Sequence, residues 1–66
     1  MKLTGKVEQM TIMGQLEFID GEEYLVNPLK NNMVEVKGLF HFLSTDTIEP
    51  ITLTFHKKDF EKHLVV

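Results

Sequence analysis

Apolar and polar residues alternate along most of this chain with a period of two, which is how a strand with one buried face reads. From Lys2 to Met10, Leu3, Gly5 and Val7 share one parity, and Lys2, Thr4, Lys6 and Glu8 take the other. The pattern continues with Ile12, Gly14, Leu16 and Phe18 against Thr11, Gln15 and Glu17. No turn dipeptide divides the two runs. They predict either one long strand bent near Met10–Gly14 or two strands, with Gly14 as the bend or a bulge.

Asp20-Gly21 is the strongest local signal, and it predicts a hairpin between Leu16-Glu17-Phe18 and Tyr24-Leu25-Val26. A two-residue loop would split the large side chains between two faces. A three-residue loop, Ile19-Asp20-Gly21, pairs Phe18 with Glu22 and gathers Leu16, Phe18, Tyr24 and Val26 on one face, so it is preferred. Asn27-Pro28 ends that strand, and Lys30-Asn31-Asn32 makes a turn.

Residues 33–43 carry the clearest alternation: Val34, Val36, Gly38, Phe40 and Phe42 on one face, Glu35, Lys37 and His41 on the other. Ser44–Pro50 reads as a polar loop. Ile51, Leu53 and Phe55 then alternate with Thr52 and Thr54, and Phe40 and Phe42 are expected to face Leu53 and Phe55 across a second hairpin. Lys57–Lys62 lacks β-branched residues and predicts one helical turn with Phe60 pointing inward. Leu64-Val65-Val66 is left for a short last strand. These elements predict an all-β fold in one domain, residues 1–66: a small five- to six-stranded antiparallel barrel or curved meander. The order of strands, late turn and short last strand resembles an SH3-like barrel in outline. An OB-fold, which needs a longer chain and helix, ranks second.

Size and composition narrow the function. With 66 residues and 7.7 kDa, the chain buries about 60% of its unfolded surface, a marginal core. There is no Cys, which removes disulfides, thiol nucleophiles and Cys-based zinc sites. The start of the chain has no apolar signal segment and no run approaches the length of a membrane span, so a cytoplasmic location is expected. An apolar share of 42% argues for a folded core. All 7 basic residues are Lys, and Arg and Ala are absent. Lys and Asn richness suits an AT-rich bacterial or phage genome.

Catalytic signatures are missing. Ser44, the only serine, has no nucleophile elbow around it, and the glycines at 5, 14, 21 and 38 form no phosphate loop. No enzyme activity and no cofactor are expected. His56, Asp59 and His63 would share a face of one helix and suit zinc. Phe60 falls on that same face, marking it as the core side, so no metal is expected. Lys57, Lys58 and Lys62, together with Lys2 or Lys6, could contact phosphates, giving the alternative of a nucleic-acid-binding protein. Against it stand a net charge of −3 and the missing Arg. The acids Glu17, Asp20, Glu22 and Glu23 read as a solvated hairpin tip rather than a mimic of DNA.

The informative residues are apolar ones on the polar parity: Met10, Met13, Leu25, Leu39 and Leu43. A sheet with one wet face should not repeat this. Leu39 and Leu43 flank His41 on one face, and methionine suits adaptable binding surfaces. The expected function is a non-catalytic interaction module, from a phage, prophage or bacterium. It would bind a partner protein, or itself as a homodimer, through Leu39, His41 and Leu43 with Met10 or Met13 nearby.

Overall fold

The computed structural model describes residues 1–11 and 14–65, with side chains at all of these except 9–11. Five strands and one helical turn follow in order: β1 (Lys6–Thr11), β2 (Gly14–Phe18), β3 (Leu25–Pro28), β4 (Met33–Phe42), β5 (Thr47–His56) and α1 (Lys57–Glu61). The fold is all-β around one antiparallel sheet, and that sheet is not closed into a barrel.

β4 organises the sheet. Its whole length pairs with β5, from Met33 opposite His56 to Phe42 opposite Thr47. Its other edge is shared end to end. β3 covers Val34–Lys37, and β2 covers Phe40–Phe42. β1 pairs β2, with Thr11 opposite Gly14, which settles the two-strand alternative for the first runs.

Three expectations are corrected. The Asp20-Gly21 turn forms, with Glu22 N donating to Ile19 O at 3.1 Å and Gly21 at φ 84°. It does not close a ladder between β2 and β3, because both strands pair with β4 instead. The preferred three-residue loop with Phe18 opposite Glu22 is therefore not what forms, since Asp20-Gly21 are the two central residues of the turn; Leu16, Phe18 and Tyr24 are nonetheless buried together, with Val26 partly buried against them. Second, the segment read as a loop over Ser44–Pro50 is mostly strand: β5 begins at Thr47. The tighter connection moves the register, so Phe55 lies opposite Val34 and Leu53 opposite Val36, while Phe40 and Phe42 face Glu49 and Thr47. Third, in the expected last strand the described residues Leu64 and Val65 make a single bridge, from Leu64 to Leu3, and Val66 lies outside the described residues.

The core is the face carrying the even-numbered residues of β4. Val36, Phe40 and Phe42 are fully buried with Leu3, Val7, Leu16 and Phe55. Phe18 centres an aromatic group, 5.0 Å from the Phe40 ring and 5.2 Å from Tyr24 edge-on, an arrangement favoured by ring quadrupoles. α1 closes the open end of this core with Phe60, as expected, and its first residue is tied down by Lys57 N donating to Asn32 O at 2.8 Å.

Between β2 and β3 the edge of β4 would lack a partner at Leu39. Tyr24 fills the gap. Its hydroxyl donates to Leu39 O and accepts from Ile19 N at 2.9 Å. Gly38 makes room for this ring, since a Cβ there would lie 2.5 Å from Tyr24 Cδ1. Because Leu39 O points toward Tyr24, the backbone of Leu39 faces away from β5. Pro50, opposite Leu39, therefore sits where β4 asks for no donor, and its missing N–H falls on the outer edge of the sheet.

Candidate functional site

Residues opposite one another in a ladder share a face. The odd-numbered residues of β4 thus define a second, outer face. One row across it reads Lys6, Glu17, His41, Ile48, from β1 through β2 and β4 to β5. The next holds Leu39 and Pro50, and the one after it Leu25, Lys37 and Thr52.

This face carries apolar surface. Leu25 is 68% exposed and Ile48 58%, and Pro50 is exposed between them. Leu39 is half-buried on the same face, and Leu43, in the turn that follows β4, is half-buried as well. The register of β4 puts Leu39 and His41, two of the residues singled out by parity, on this face, and Leu43 follows in the turn after the strand. The Met10 side chain and all of Met13 lie outside the described residues. Sequence reasoning missed Ile48. Its parity matches outward-facing Thr52 and Thr54, but Pro50 and the polar residues around it hid the upstream half of the strand.

His41 is the polar centre of the face. Its Nδ1 lies 2.7 Å from Glu17 Oε1, and its Nε2 lies 2.7 Å from Asp46 Oδ1. The hydrogen bond with Glu17, then that with Asp46, raises the His41 pKa above its ordinary value. The two carboxylates approach opposite ring nitrogens, so the three groups do not converge on a point where a metal could sit. Asp46 belongs to the four-residue turn between β4 and β5, in a left-handed conformation at φ 52°.

His63 holds Thr4 O at 2.9 Å from Nδ1 and packs 4.9 Å from the Phe18 ring. His56 is exposed beside Lys57 and Lys58 over an open depression with Asn31 and Asn32. Among the described residues, no group of three or more His, Cys, Asp or Glu is placed to hold a metal ion. Lys62 is turned toward Asp59, 3.5 Å away, and lines a different depression from Lys57 and Lys58. Lys6 lies opposite Glu17 and Lys2 bridges to Glu23, so these lysines alternate with acids rather than form a stripe. Glu23 also receives the Met1 ammonium at 2.6 Å, which holds its carboxyl below the usual range. Burial raises the Tyr24 phenol above its ordinary value. No described helix is long and apolar enough to cross a membrane. No protein-family model, curated protein or solved structure matches this chain, so a reading of its function rests on its own residues.

Proposed function

We propose that the chain is a non-catalytic protein-interaction module. It binds another polypeptide, a partner or a second copy of itself, through the outer face of the sheet. The observation that carries this reading is the exposure of Leu25 and Ile48 beside Leu39 and Pro50 on the face opposite the core. Apolar side chains grouped on a wet sheet face mark a surface that another chain covers. The scaffold is a sheet of SH3-like outline, the Arg-free, Lys-rich composition supports a bacterial or phage source, and the lack of Cys supports a cytoplasmic one.

The test is sedimentation of the purified chain across a concentration range, and of the complex it forms in nuclease-treated lysate. Leu39→Asp and Ile48→Asp should each dissolve the assembly while circular dichroism and the melting transition keep their native form. An assembly indifferent to both substitutions overturns the assignment. An assembly lost on nuclease treatment moves the site to Lys57 and Lys58.

A further inference from the structure

The two contacts of His41 make a demand that only one protonation state meets. An ionised carboxylate only accepts hydrogen bonds, and neutral imidazole has a single N–H. With Glu17 on Nδ1 and Asp46 on Nε2, both at 2.7 Å, the arrangement requires N–H on both nitrogens, hence the imidazolium. In the neutral ring one carboxylate faces a lone pair.

The two acids differ in how easily they let go. Glu17 sits on β2 with its side chain 33% exposed, whereas the Asp46 side chain is 90% exposed and water can replace its partner at little cost. The remaining N–H stays with Glu17, and Asp46 is released. Charged groups facing this site are Glu17 from β2, Asp46 from the turn, Lys6 of β1 across from Glu17, and Asp20, which lines the same depression while accepting from Thr4 Oγ1; the β5 neighbour, Ile48, is apolar. With the ring charged, the two cations Lys6 and His41 nearly balance the acids Glu17, Asp46 and Asp20, and deprotonation makes this end of the face more negative by one charge.

We propose that His41 is a protonation-dependent clasp: the Leu43 end of the turn is held to β2 by Leu43 N donating to Gln15 O at 3.1 Å, the imidazolium fastens its Asp46 end, and on losing its proton the ring releases Asp46 and loosens that end of the turn. Resting on the interaction reading, this makes the outer face better ordered and less charged at acidic than at alkaline pH, so association strengthens as pH falls. The raised His41 pKa agrees with the geometry.

The experiment is an NMR titration of the full chain, following the His41 ring and the amides of residues 43–46. The amides should titrate with the His41 midpoint. Asp46→Asn and Glu17→Gln should each move that midpoint down, and His41→Gln should abolish the response of the turn. Asparagine tolerates the left-handed backbone, so Asp46→Asn keeps the turn. A midpoint unmoved by Asp46→Asn, or a turn that ignores pH, overturns the clasp. Sedimentation at pH values on both sides of the midpoint separates the two ideas. A titrating turn in a chain that associates neither with itself nor with a protein from nuclease-treated lysate supports the clasp and removes the interaction reading. An associating chain whose turn does not titrate overturns the clasp and leaves that reading standing.

Discussion

The two faces of β4 are made from one ten-residue strand, yet they work differently. On the core face, Val36, Phe40 and Phe42 are closed off from water and locked among aromatic neighbours. On the outer face, Leu39 and His41 are half-buried under a thin cover from neighbouring strands, and Ile48 and Leu25 beside them stay exposed. Burial alone separates the two. The core face has Phe60 of α1 and Leu3 of the N-terminal segment packed into it, while among the described residues Leu25 and Ile48 of the other face stay uncovered. An apolar residue on the first face supports the fold, and one on the second is available to another molecule.

Phe40→Ala would break that contrast most severely. Truncating a fully buried aromatic costs about 3–5 kcal/mol, a large part of the stability of a small domain. Chemical denaturation should show a collapse of the unfolding midpoint or no folded state. Gly38→Ala is next. The new methyl meets the Tyr24 ring, and overpacking of this kind costs about 1–3 kcal/mol. It should also disturb the hydroxyl link from Ile19 N to Leu39 O, visible as loss of amide-exchange protection at Ile19.

The pH dependence is smaller and sits on the outer face. The His41 pKa is raised on folding, so its contribution to stability is full below its ordinary value of 6.5 and is lost as pH rises through the raised value. Denaturation of wild type and His41→Gln should differ most at acidic pH and converge at alkaline pH. Smallest of all is Ile48→Thr, expected to change stability by no more than about 0.5 kcal/mol. A large loss in that variant would mean that Ile48 supports the fold and would remove it from the interaction face.

The Asp20-Gly21 region and β4 show how much was legible beforehand. The alternation in 33–42 assigned both faces of β4 correctly, and the lack of β-branched residues located α1 and its Phe60 plug. The Asp-Gly signal located a turn but not its consequence. A turn dipeptide reverses the chain locally; which strand then accepts the hydrogen bonds depends on competing edges, and the long edge of β4 took both β2 and β3. Pro50 misled in the opposite direction. Proline normally argues against a strand, but its missing donor costs nothing opposite Leu39, whose backbone faces Tyr24.

By itself, the sequence determined that this is a β protein with a Phe-rich core, one late helical turn and apolar residues on the wrong parity of its central strand, because side-chain periodicity is a local property of the backbone. Tertiary structure alone decided which strands share β4, that the sheet stays open, that Ile48 joins Leu39 on one surface, and that Glu17 and Asp46 meet on His41. Those outcomes depend on register between segments distant in the chain, and register is set by which edge groups find partners when the whole core closes.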